Sequence, residues 1–167
     1  VLLSDGHGDR ILRLVEEVEL PGSNLALEVN AIAYRLAILK ELGCLDLVDI
    51  DTIAEKIAEN QITRDWQSPA GYKVVNVEKA AGLFYFGLCD ISMTRGALWS
   101  LQILGRLDLI DKESCLEAIL SFYQGKGRFR SDYQVDGIQI WDDDEDTFFA
   151  MESLAILDGL DRVEDFS

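Results

Sequence analysis

The sequence predicts an all-α fold built from repeated helical hairpins, and three observations carry that expectation. A single pattern recurs three times, as ILKELGCLDLVDIDT (38–52), SLQILGRLDLIDKES (100–114) and SLAILDGLDRVEDFS (153–167). Each copy follows apolar residues at helical spacing, as Ala97, Leu98, Leu101 and Leu104 show for the second. Each then punctuates that helix: Gly105 stands where a C-cap glycine belongs, and Asp111 is placed to accept amide protons ahead of KESCLEAILSFY. Leu42 matches Leu104 at an offset of 62 and Leu104 matches Leu157 at 53, a period typical of stacked supersecondary units.

The elements follow in order. A helix over Asp9–Val18 opens the chain, and Pro21 and Gly22 end it. The first hairpin takes helices near 25–42 and 51–59, within a unit of roughly 24–60. The second unit, roughly 92–123, takes a helix over 94–104 and another to about Tyr123. The third, 146–167, has a helix over 147–157 and a turn, and the sequence stops at Ser167 where its second helix is expected. Residues 1–167 thus read as one hairpin-repeat domain with an N-terminal helix in 1–20. The expectation is that it belongs to a longer chain or assembly, because a lone apolar helix face needs a neighbour. Long connections over 60–92 and 124–146 carry alternating aromatic stretches, GLFYFGL and GIQIW, that suggest short extended pieces.

Composition narrows the function classes. Asp and Glu total 31 against 15 Lys and Arg, a net charge of −16, which repels nucleic-acid backbones and anionic membranes. The longest apolar run, AAGLFYFGLC (80–89), is too short to span a bilayer, and no basic segment opens the chain as in a signal peptide. Cys44, Cys89 and Cys115 form no CxxC pair and read as free thiols of a reducing, cytoplasmic compartment.

The connections and the third unit carry a resemblance. Gln67-Ser-Pro-Ala-Gly71-Tyr72 and Gln124-Gly-Lys-Gly127-Arg-Phe129 each follow a hairpin, and DTFFAMESLAILDGLDRVEDF follows an acidic run. Together these resemble the prenyltransferase and squalene-oxidase repeat, over roughly Ala31–Ser167. That resemblance implies an α/α toroid with an apolar cavity for an isoprenoid, of which this chain supplies about half. The zinc ligands of protein prenyltransferases have no match here: Phe148 stands where a thiolate belongs, and His7 is the only histidine. No metal site or cofactor is expected in this chain; zinc or magnesium is left to any missing part. Class II terpene cyclases of the same family use an Asp-x-Asp-Asp-Thr run, which Asp143-Asp144-Glu145-Asp146-Thr147 resembles, with Glu145 in place of the proton-donating Asp.

The residues themselves leave the acidic run open. Asp143, Glu145 and Asp146 are candidate acid catalysts if burial and mutual repulsion keep one of them protonated. A divalent-cation site is a further reading, and the plainest is a helix front end whose acids stabilise the positive helix terminus. Tyr72, Phe84, Tyr85, Phe86, Trp99, Trp141, Phe148 and Phe149 are candidate walls of an apolar site, where aromatic faces stabilise cations. Arg95, Lys126, Arg128 and Arg130 are candidate anion contacts. Two functions follow. One is a non-catalytic module that binds a protein or an isoprenoid-like ligand; the other is an isoprenoid enzyme with residues 142–146 at its active site. Expected partners are a second copy or the remainder of the toroid.

Overall fold

The hairpin period is visible first in the caps that build it. The computed structural model describes residues 5–18, 29–67, 80–86, 89–130, 134–135, 138–139 and 143–163. Its helices are α1 (Asp5–Val18), α2 (Val29–Glu41), α3 (Ile50–Ala58), α4 (Ile91–Leu104), α5 (Lys112–Leu120) and α6 (Asp143–Ile156). After α2, α4 and α6 the backbone turns left-handed at Gly43, Gly105 and Asp158, with φ of 66°, 70° and 56°. A short 3-10 turn follows each, at Leu45–Leu47, Leu107–Leu109 and Leu160–Arg162. The Asp49 carboxylate then accepts from the Thr52 amide at 3.1 Å and its hydroxyl at 2.8 Å. Asp111 does the same for Ser114, at 3.0 and 2.6 Å. These bonds to ionised oxygens hold both carboxyls below the usual carboxylate range.

The helices pack in two rows. The first helices of the hairpins, α2, α4 and α6, lie side by side in that order. The second helices sit against the next unit: α3 packs on α4 and α5 on α6, and α1 packs on α2 in the same manner. Leu36, Leu98, Leu101, Ile119 and Leu154 fill the space between the rows and are fully buried. Arginines pin successive units together. Arg106 pairs with Asp51 at the start of α3, and Arg162 pairs at 2.7 Å with Glu113 at the start of α5. Asp51 and Glu113 are one repeat apart. Exposed pairs of this kind contribute about 0–1 kcal/mol, so their effect is on register more than on stability. The class is therefore all-α, with one small β element among the described residues: β1 (Gln134–Val135) pairs antiparallel with β2 (Ile138–Gln139).

The crossovers repeat as well. Gln61 bridges Phe84 and Tyr123 bridges Phe129 as isolated antiparallel contacts. The Phe84 amide then donates to Thr94 Oγ1 at 3.2 Å, and the Phe129 amide to Thr147 Oγ1 at 3.1 Å. Thr94 and Thr147 are again one repeat apart, and Phe84 and Phe129 are fully buried. The threonine that ends the acidic run thus anchors the preceding connection. Thr147→Val is expected to strand the Phe129 amide and to cost about 1–3 kcal/mol in denaturant unfolding.

Four boundaries differ from the sequence reading, the first being α4, which begins at Ile91 and not at Thr94 because Asp90 caps it. Helix α1 begins at Asp5 and not at Asp9, so the DGHGD stretch with His7 has helical backbone. Helix α5 stops at Leu120 because Phe122 and Tyr123 donate back to Ile119 and Leu120 in a tightening turn. Helix α6 begins at Asp143, so the acids form its first turn and do not precede it.

Candidate functional site

One cluster gathers side chains from all three first helices. Arg95 on α4 is buried, and its Nε donates to Glu152 Oε2 on α6 at 2.7 Å. Its guanidinium carbon lies 4.3 Å from the Trp99 ring centroid, 5.7 Å from Tyr34 on α2 and 5.9 Å from Phe149 on α6. Tyr34 meets Trp99 edge to face at 5.1 Å. Helical spacing explains the grouping, because Arg95 and Trp99 are four residues apart on α4, and Phe149 and Glu152 three apart on α6. A desolvated cation on aromatic faces contributes about 2 kcal/mol, which offsets part of the cost of burying Arg95.

The cluster borders an open pocket of about 270 Å³ lined by Arg95, Trp99, Gln102, Glu152, Ala155 and Ile156. Among the described residues, the hydrogen bond to the Arg95 guanidinium is made at Nε. The terminal nitrogens of the fork keep donor capacity for a planar or tetrahedral anion. Trp99 and Ile156 offer apolar walls to whatever carries that anion.

A second group sits at the N-termini of α4 and α6. Asp90 caps α4, its Oδ1 accepting from the Met93 amide at 2.7 Å. The residue is buried, and Oδ2 has no hydrogen-bond partner among the described residues. Burial pushes the Asp90 carboxyl up to about 6, the Met93 bond lowers it and the negative charge of Asp146 adds to the rise. Asp146 is itself buried, whereas Asp144 and Glu145 are exposed. Beside them, burial raises the Cys89 thiol to about 12, and Cys115 is raised in the same way; both remain protonated and are poor nucleophiles at neutral pH.

The other candidates are dispersed. Phe84 and Phe86 stack at 6.3 Å in the buried core. Tyr85 packs on Trp66 at 5.0 Å. Phe148 is exposed on α6, although its ring meets Phe149 at 5.6 Å. Lys126, Arg128 and Arg130 are exposed in the turn closed by Tyr123 and Phe129 and do not join Arg95. Tyr72 and Trp141 lie outside the described residues, as does the side chain of Asp143. Of the sequence candidates, Arg95, Trp99 and Phe149 come together. Tyr34, Glu152 and Asp90 were missed; Tyr34 and Glu152 carried a signal, since each lies on a first helix facing a neighbouring unit.

Among the described residues no group of three or more His, Cys, Asp or Glu is arranged to hold a metal ion, and no helix is long and apolar enough to cross a membrane. No protein-family model, curated protein or solved structure matches this chain.

Proposed function

We propose that the chain is a ligand-binding helical-repeat module that takes an amphipathic molecule with an anionic head, an isoprenoid diphosphate being the class suggested by the repeat it resembles. The observation that supports this is the buried Arg95, held through Nε by Glu152 and bordered by aromatic rings at an open pocket. The anion meets the terminal guanidinium nitrogens, and the apolar chain lies along Trp99 and Ile156. The net charge of −16 opposes an anion at long range. Salt screens that field, since the Debye length is about 3 Å at 1 M. Binding is therefore expected to hold or strengthen as salt rises, the opposite of a basic phosphate-binding surface.

Calorimetric titration with prenyl diphosphates of increasing chain length tests this. Binding is expected to tighten with chain length and to weaken about tenfold or more in Arg95→Lys, which keeps the charge and loses the fork. The absence of binding at any chain length removes the reading.

A second reading, an isoprenoid enzyme using the acidic run, draws on the buried Asp90 and Asp146. Burial disfavours the charged form of the Asp90 carboxyl, and protonation of an alkene requires an acid whose neutral form is favoured. Product formation from a polyene substrate that is lost in Asp146→Asn would favour it; an inert mixture with wild-type protein would dismiss it.

A further inference from the structure

The Arg95–Glu152 pair has no counterpart at the preceding junction of the row. By the offsets of 62 and 53, Arg95 corresponds to Ala33 on α2 and Glu152 to Trp99 on α4. Helices α2 and α4 therefore stack with an alanine and a tryptophan where α4 and α6 carry an arginine and a glutamate. Replacing a buried ion pair by apolar residues is often neutral or stabilising, because both charges otherwise lose their water. Stacking of the hairpins thus does not call for charges at the second junction.

Both charges line the open pocket. Arg95, Trp99 and Gln102 recur at helical spacing on α4, as do Glu152, Ala155 and Ile156 on α6, so each helix gives one face to it. Arg95 is 6 % exposed and commits Nε to Glu152, leaving its terminal nitrogens as donors. Glu152 meets Arg95 through Oε2, and its side chain is 37 % exposed, so Oε1 keeps its acceptor capacity. A bond of 2.7 Å joins the two groups. The open donors of one therefore neighbour the open acceptor of the other, and the charges of the pair sum to zero.

A simple anion gains Arg95 but meets the Glu152 carboxylate and the net charge of −16. A zwitterion gains both groups and, carrying no net charge, does no work against that long-range field. In an α-amino acid one carbon separates the ammonium from the carboxylate, which suits a donor fork and an acceptor lying side by side. Trp99, Ala155 and Ile156 offer apolar walls to its side chain. The volume of about 270 Å³ suits a small molecule, since drug-sized ligands take pockets of about 300–1,000 Å³.

We propose that this pocket binds a free α-amino acid with an apolar side chain. Its carboxylate meets the terminal nitrogens of Arg95, and its ammonium donates to Glu152 Oε1. The inference rests on the anion placed at Arg95 above, and not on the isoprenoid class of the molecule that carries it.

Calorimetric titration with three compounds of one side chain tests this: leucine, isocaproate, which lacks the ammonium, and isoamylamine, which lacks the carboxylate. Leucine is expected to bind about tenfold or more tighter than either. Glu152→Gln keeps an oxygen for Arg95 and removes the charge. It should bring leucine down to the level of isocaproate and leave isocaproate no weaker, whereas loss of a merely structural contact would weaken both alike. Equal binding of leucine and isocaproate to the wild type overturns the inference and leaves the anion at Arg95 in place. Binding of prenyl diphosphates without leucine does the same. Leucine binding without any prenyl diphosphate supports the inference and removes the isoprenoid class. Phosphoethanolamine binding more tightly than leucine overturns it in favour of a lipid headgroup, and a pocket that takes none of these compounds removes both readings.

Discussion

Gly82→Ala is expected to destabilise the protein by about 3–5 kcal/mol, among the largest effects of any single methyl group here. Gly82 has φ of 102°, a conformation that side-chain-bearing residues avoid. A Cβ there would also run into backbone: the Ser114 carbonyl and the Cys115 amide at the start of α5. Neither side can yield. The Gly82 amide donates to the Ile62 carbonyl at 2.7 Å, and its own carbonyl accepts from Gln61 Nε2 at 3.1 Å. The same Gln61 side chain donates to the Asp111 carbonyl and accepts from the Asp111 amide, both at 2.9 Å. Crossover and second hairpin are thus locked at one point. Gly105 is the control: its φ is 70°, but a Cβ there meets open space, so Gly105→Ala should cost about 1 kcal/mol. Chemical denaturation of the two variants checks the difference; equal costs would mean that the crossover does not run against α5.

Asp90→Asn should gain stability over wild type as pH rises. The Asp90 carboxyl is raised in the folded protein from 3.8 to about 6. Between those values the folded state binds the extra proton, so stability falls with increasing pH through this window. Above it, an ionised and buried Asp90 costs about 3 kcal/mol relative to its value below pH 4. Asparagine retains the oxygen that caps α4 and removes the charge, while its amide nitrogen takes the place of the unpartnered Oδ2. The stability difference between Asp90→Asn and wild type should therefore move by about 2 kcal/mol in favour of the variant between pH 4 and pH 7.5. Urea denaturation at both pH values reads it, and parallel pH profiles would show that Asp90 titrates normally.

The repeat was legible because it is written in local chemistry. Gly105 and Asp111 announce a cap, a turn and a new cap within a few residues, and neighbouring leucines show a helical face. The class followed from that. The site was half legible. Arg95, Trp99 and Phe149 stood out as a cation and aromatics on first helices, but their meeting depends on how α2, α4 and α6 lie beside one another, which no local pattern encodes. Tyr34 and Glu152 enter only through that packing. Asp90 was hidden for a related reason. In sequence it is one more acid in an acidic chain, and only burial beside Asp146 distinguishes it. Phe84 looked like a wall of a cavity because its segment is aromatic; the repeated bond from its amide to Thr94 places it in the core.

The most direct test of the account is the proton-proton Overhauser spectrum around the Trp99 indole. Helices α2, α4 and α6 lying in a row predict cross-peaks from Trp99 to the Tyr34 ring, 5.1 Å between centroids, and from the Arg95 side chain to Phe149. A folded, helical protein in which Trp99 shows no contact with Tyr34 and Arg95 none with Phe149 would contradict the stacked order and the site built upon it.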